Sequence, residues 1–216
     1  MPVEVKICGL STLATVDAAL DAGADLIGLV FYPKSPRYVT IDTAAELAKR
    51  ARGRAKVVAL IVDAPDPVIV EIAARVHPDL YQAHGAESPE RVEAIAHLTG
   101  KPVIKAIKVK DGNDVEAADA YRGKAALLLY DAKAPESLKG ALPGGNGLSF
   151  DWALLESGKS ADQFILSGGL TPENVASAVA VTGAAIVDVS SGVERAPGIK
   201  DPVRIRNFIE AAKAAR

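Results

Sequence analysis

Short apolar runs alternate with amphipathic, alanine-rich segments along the whole chain. The runs are Val3–Cys8, Leu26–Phe31, Val57–Val62, Leu80–Ala83, Val103–Ile107, Ala125–Tyr130, Phe164–Leu166 and Ala185–Val189. Several are apolar at nearly every position, so they read as strands covered on both faces, as in a parallel sheet. Between them the spacing predicts helices over Thr12–Ala22, Asp42–Arg52, Asp66–Val76, Pro89–Leu98, Asp114–Tyr121, Asp151–Glu156, Pro172–Thr182 and Pro202–Ala215. Ser88-Pro89 and Thr171-Pro172 each place a capping hydroxyl before a first-turn proline. Gly-Ala precedes an apolar strand at Gly23-Ala24 and again at Gly183-Ala184, a faint sign of repeated units.

Eight strand–helix units over 216 residues give about 27 residues each, which predicts an α/β fold: a (β/α)₈ barrel built as a single catalytic domain over 1–216. A doubly wound open sheet is the rival. Its Gly-x-Gly-x-x-Gly turn after the first strand is missing here. No linker or low-complexity stretch interrupts the alternation.

In such a barrel the active site lies at the C-terminal ends of the strands, so the residues at and just past each strand end matter most. Those residues are Cys8-Gly9, Phe31 through Arg37, Asp63, His84-Gly85, Lys108, Asp131, Gly168-Gly169 and Ser190-Ser191-Gly192. Polar residues and glycines gather there and are scarce within the strands.

Strand alternation puts Glu4, Lys6 and Cys8 on one face and Val3, Val5 and Ile7 on the other. The apolar set is expected against the helices, with Cys8 inside at the rim and Lys6 on its face favouring the thiolate. On composition alone a lone cysteine is a buried structural residue. Its place at the end of the first strand, before a glycine, argues for chemistry. Pro33-Lys34-Ser35-Pro36-Arg37 is stiffened by two prolines, and an arginine held on such a loop suits a carboxylate; a solvated arginine on a rigid turn fits equally well. His84 is a substrate-contacting candidate, although a lone histidine is more often a structural hydrogen-bonder. Asp131 follows an apolar strand, where desolvation raises a carboxyl group and suits a general acid. The stretch from Ala132 to Ser149, with Gly144-Gly145-Asn146-Gly147, reads as a binding loop or lid with glycine hinges. The loops carrying Gly168 and Gly169, and Ser191 and Gly192, follow strands seven and eight. Barrels often bind phosphate there through backbone N–H groups. Either pair alone could be a tight turn; both together point to phosphate.

Composition removes other classes. Net charge is −2 and the isoelectric point about 6.0, without the basic surplus of a nucleic-acid binder. No apolar run nears the ~20 residues of a membrane span. No export signal stands at the start, so the expected location is the cytoplasm. One cysteine and scattered His77, His84 and His97 give no metal-ligand spacing, and no organic cofactor is expected.

The chain resembles the phosphoribosylanthranilate isomerase family from end to end. The matching residues are Lys6-Ile7-Cys8-Gly9, Phe31 through Tyr38, His84-Gly85, the Asp131 strand end, and Gly145-Asn146-Gly147 with Phe150-Asp151-Trp152. Further on they are Ser167 through Leu170 with Glu173-Asn174-Val175, Asp188 through Glu194, and Pro197 through Asp201. The family usually has Leu where Ala83 stands, and Thr or Ser in place of Asn146. The resemblance implies an isomerase acting on a small phosphosugar in tryptophan biosynthesis, as a monomer or homodimer. It also implies Asp131 as general acid, Cys8 as general base, Arg37 on the anthranilate carboxylate and Asp188 on a sugar hydroxyl. A related phosphosugar barrel, or a phosphate-binding barrel without catalysis, is the alternative. The histidine-pathway isomerase has an aspartate where Cys8 stands.

Overall fold

The structure, a computed structural model, describes residues 2–133, 144–155 and 163–215. Eight parallel strands close into a barrel in sequence order: β1 (Glu4–Cys8), β2 (Leu26–Val30), β3 (Lys56–Ile61), β4 (Leu80–Ala83), β5 (Val103–Val109), β6 (Leu127–Ala132), β7 (Phe164–Leu166) and β8 (Ile186–Val189). Closure comes from β1, which pairs with β2 on one side and with β8 on the other. Every strand is therefore covered by the barrel filling inside and by helices outside, which is why the runs are continuously apolar.

The helices are α1 (Leu13–Asp21), α2 (Ile41–Ala51), α3 (Asp66–Val76), α4 (Pro89–Thr99), α5 (Gly112–Ala117), α6 (Val175–Thr182) and α7 (Pro202–Lys213). Ser88 caps α4 as expected, accepting the Arg91 N–H at 3.3 Å. The seventh expected helix starts later than Thr171-Pro172. Asn174 Oδ1 accepts the Thr171 N–H at 2.7 Å and its amide donates to Gly169 O at 3.0 Å, so residues 171–174 form a turn and α6 begins at Val175. The expected helix over Asp151–Glu156 is a single 3₁₀ turn, Trp152–Leu155; Glu156 lies outside the described residues. So do residues 134–143, on which most of the expected lid falls.

Side-chain parity inside the barrel follows the alternation. Leu26, Val58, Leu80, Ile104, Ala106, Leu129, Ile165 and Ile186 fill the lower interior, and Cys8, Val30 and Leu60 form a smaller layer above them. Val3, Val5 and Ile7 pack outward among the helices. Truncating one of the buried interior leucines or isoleucines to Ala would cost about 2–5 kcal/mol. A feature the apolar pattern did not announce comes after β8: a short 3₁₀ turn (Ser191–Val193) runs into a hairpin of β9 (Glu194–Ala196) and β10 (Ile199–Lys200).

Candidate active site

Above the apolar layers, at the C-terminal ends of the strands, lies a cleft. Cys8, Arg37, His84, Asp131, Gly168, Gly169, Asp188, Ser191 and Gly192 all line it, whereas Asp63 and Lys108, also at strand ends, do not.

The floor is a set of charges that the register brings together. Lys6 of β1 stands opposite Asp188 of β8, and its Nζ donates to Asp188 Oδ1 at 2.7 Å, fully inside the barrel. Ser167, just past β7, donates its hydroxyl to Asp188 Oδ2 at 3.2 Å. Burial works against the Lys6 charge, but Asp188 and Cys8 together hold its pKa above the ordinary lysine value.

Cys8 sits at the top of β1, buried, with its Sγ packed over Gly28; a Cβ there would come within 2.8 Å of the sulfur. Here the sequence expectation needs correcting. Lys6, joined by Lys200, does pull the thiol toward the thiolate. Burial outweighs both, Asp188 adds to it, and the thiol is pushed up.

Asp131 is the penultimate residue of β6 and is buried, with Oδ1 accepting the Ala132 N–H at 2.9 Å. Its Oδ2 lies 3.3 Å from His84 Nε2. His84, in turn, has Nδ1 2.7 Å from the side-chain amide of Gln82. Gln82 and His84 are two apart at the end of β4, so both face inward. Gly144 closes over His84 and Asp131: a Cβ on it would meet His84 Nε2 and lie 2.9 Å from Asp131 Oδ2.

Arg37 is the most heavily held side chain of the cleft. Its aliphatic part crosses Gly9, where a Cβ would sit 2.6 Å from Arg37 Cδ. Its Nε and Nη2 grip Glu194 at 2.7 and 2.9 Å, and Nη2 also donates to Gly145 O at 3.1 Å. Glu194 accepts a second cation, Lys200, at 2.8 Å, and Lys200 donates onward to Ser190 O at 2.8 Å. Burial raises the Glu194 carboxyl, but Arg37 and Lys200 outweigh it and hold the group below its usual range. Burial likewise lowers Lys200, against the pull of Glu194.

The two glycine loops form the remaining wall. Gly168 and Gly169 both have positive φ, 84° and 65°. A Cβ at Gly169 would lie 2.7 Å from Leu148 O, and one at Gly192 would clash with Leu170 O. Backbone approaches that close leave no room for a side chain.

Sequence reasoning missed Gln82, Ser167, Glu194 and Lys200 as site residues. Gln82 and Ser167 carried a usable signal, a polar residue in an inward position of an apolar strand or just beyond its end. Among the described residues no group of His, Cys, Asp and Glu is arranged to hold a metal ion, and no helix is long and apolar enough to cross a membrane.

Comparison with known proteins agrees with this geometry. The family described as N-(5'phosphoribosyl)anthranilate (PRA) isomerase matches residues 5–211. The N-(5'-phosphoribosyl)anthranilate isomerase of Paramagnetospirillum magneticum is 54% identical over 217 residues, covering 100% of both chains. The crystal structure of phosphoribosyl anthranilate isomerase from Thermotoga maritima superposes with a TM-score of 0.87 at 38% identity, covering 98% of this chain and 99% of that one. A second crystal structure of a phosphoribosyl anthranilate isomerase, in complex with reduced 1-(o-carboxyphenylamino)-1-deoxyribulose 5-phosphate, has a TM-score of 0.83 at 35% identity, with 98% and 99% covered. These matches span the whole barrel, and the chain belongs to the N-(5'-phosphoribosyl)anthranilate isomerase family.

Proposed function

We propose that Cys8 and Asp131 divide the proton transfers of the family's reaction in tryptophan biosynthesis. That reaction is the Amadori rearrangement of N-(5-phosphoribosyl)anthranilate to 1-(2-carboxyphenylamino)-1-deoxyribulose 5-phosphate. The observation that carries the assignment is the meeting, in a single cleft with a clamped arginine and two glycine loops, of one thiol and two buried carboxyl groups. Of these two, Asp188 is ion-paired to Lys6, and Asp131 has no cationic Lys or Arg partner among the described residues.

Asp131 gives a proton to the furanose ring oxygen. The C1–O bond breaks, and the nitrogen lone pair forms the C1=N bond of an iminium ion. Cys8 then takes the C2 proton, the C2–H electrons become the C1=C2 bond of an enolamine, and tautomerisation gives the ketone. The order of steps bears on the raised thiol. Burial raises the Cys8 thiol, so the thiolate is its minor form. That minor form is the base, and an iminium charge beside it favours it, as does any cation held in a low-dielectric site.

Arg37 holds the anthranilate carboxylate with the guanidinium edge that Glu194 leaves free. Gly168, Gly169, Ser191 and Gly192 hold the phosphate through backbone N–H groups. Asp188, anchored by Lys6 and Ser167, meets a sugar hydroxyl. The scheme uses only side chains and backbone of residues 1–216, acting as one catalytic domain in a monomer or homodimer, and asks for no metal or organic cofactor. The direct test follows the fluorescence of phosphoribosylanthranilate, generated in place, with and without the protein. An unchanged fluorescence would refute the assignment.

A further inference from the structure

Beneath the turn that carries His84 lies a further buried ion pair, away from the cleft. Lys105 of β5 points out of the barrel, and its Nζ donates to Glu87 Oε2 at 2.8 Å and to Gly85 O at 2.7 Å. Both side chains are almost completely enclosed, at 3% and 1% exposure. Glu87 uses its two oxygens on two different loops. Oε1 accepts the Asp63 N–H at 2.8 Å, just past β3, and Oε2 accepts the Gly85 N–H at 2.9 Å, one residue after His84. Tyr121 adds a hydrogen bond to Glu87 O at 2.9 Å.

Asp63 is strained into the same arrangement. It has a left-handed backbone, with φ 48°, and its Oδ1 accepts the Ala86 N–H at 2.8 Å. Its carboxylate packs so closely on Gly85 that a Cβ there would lie 2.5 Å from Oδ1. A non-glycine residue persists in such a conformation only when its surroundings over-determine it. A buried ion pair is, in addition, a poor way to gain stability alone, since an apolar pair of similar volume often does as well. The cluster spends two enclosed charges and a strained aspartate on fixing the backbone of residues 84–87.

We propose that Glu87, clamped by Lys105, is a positioning residue for the isomerisation: it sets the turn that aims His84 at the Asp131 carboxyl. It touches no part of the cleft itself. The inference rests on the assignment of Asp131 as the acid, with His84 as its neighbour.

The test is a cycle of variants read as kcat and KM. Glu87→Gln keeps the shape but turns an amide N–H₂ toward one of the two backbone N–H groups the carboxylate now accepts. It should lower kcat about tenfold through misplacement of His84, with KM within about twofold. His84→Asn, which cannot reach Asp131, should also lower kcat. Adding Glu87→Gln to His84→Asn should then cost nothing further, because both act through the same contact. A purely structural Glu87 would lower the melting temperature and leave kcat alone. Should Glu87→Gln fail to fold, the double variant Glu87→Met with Lys105→Met leaves neither charge unpaired and is measured the same way. If His84→Asn lowers kcat while the Glu87 variant keeps it, or if the two losses multiply, the inference is overturned and the acid assignment stands. If Asp131→Asn keeps wild-type kcat, the acid assignment itself falls.

Discussion

Replacing Cys8 with Ala and Asp131 with Asn tests the acid and base roles at the positions where the structure makes each change conservative. In Asp131→Asn the Oδ1 contact to the Ala132 N–H, 2.9 Å in the wild type, can be kept by the amide oxygen, while the acidic proton is lost and an amide N–H₂ replaces Oδ2 beside His84 Nε2. In Cys8→Ala the lost sulfur belongs to a small layer with Val30 and Leu60 above the main barrel filling. That loss resembles one buried methylene, about 1 kcal/mol. For a chain of this size it lowers the melting temperature by only about 2–4 °C. Losing a positioned acid or base costs about 10²–10⁴ in rate, or about 2.7–5.4 kcal/mol of barrier. The kinetic loss is therefore expected to exceed the stability loss severalfold in both variants. Binding of reduced 1-(o-carboxyphenylamino)-1-deoxyribulose 5-phosphate should change by no more than about threefold, since neither group is assigned to ground-state binding. Steady-state fluorescence gives kcat, titration calorimetry gives the analogue affinity, and circular dichroism reports folding. A folded Cys8→Ala enzyme with near wild-type kcat would return Cys8 to a packing role, and a fully active Asp131→Asn would place the acid elsewhere.

Three other outcomes are expected. Arg37→Ala should raise KM by about 10- to 150-fold, the equivalent of about 1.5–3 kcal/mol for a charge-assisted contact, with a smaller effect on kcat; an unchanged KM means the carboxylate is held by another group. Inorganic phosphate should compete with substrate, and Gly169→Val should abolish that competition, because φ 65° and the nearby Leu148 O leave no space for a side chain; a folded Gly169→Val that binds substrate normally sinks the phosphate assignment. The raised Cys8 thiol has a signed consequence for pH. Its thiolate is scarce at neutral pH in the free enzyme and is still accumulating above its ordinary value of 9.0. Alkylation of this lone cysteine by iodoacetamide should therefore keep accelerating past pH 9, and a plateau below pH 8 would show that the two lysines outweigh burial after all.

Much of the barrel was legible because both of its signals are local. A strand covered on both faces has to be apolar throughout, so the runs announce themselves, and β4 and β7 match their sequence bounds end for end. The inward parity of Lys6 and Cys8 followed from alternation alone, and the outer apolar set Val3, Val5 and Ile7 packs where it should. The failures also have local causes. Residues 171–174 carry the composition of a helix start, but the Asn174 side chain satisfies the Thr171 N–H and Gly169 O before the helix can begin. Asn174 competes with the backbone here, the usual behaviour of asparagine near a helix end. The thiol expectation failed because strand alternation gives the direction of Lys6 and says nothing about how dry the site is.

Glu194 and Lys200 were illegible for a different reason. They lie on strands of three and two residues, too short for any periodicity to separate an inward from an outward side chain. Yet they decide what Arg37 can offer a ligand. An arginine gripped by one carboxylate alone is electrically balanced and has little left for a second anion. Arg37 and Lys200 share Glu194, so two positive charges meet one negative, and the triad keeps one net positive charge in an enclosed place. Lys6 and Asp188 cancel each other on the floor below. The five residues thus carry one net positive charge, shared between Lys200 and Arg37, the residue proposed to hold a carboxylate. The proposed phosphate site relies on backbone groups, which carry partial charges and need no counter-ion. By sharing Glu194, Lys200 therefore leaves Arg37 able to attract the carboxylate it is proposed to hold.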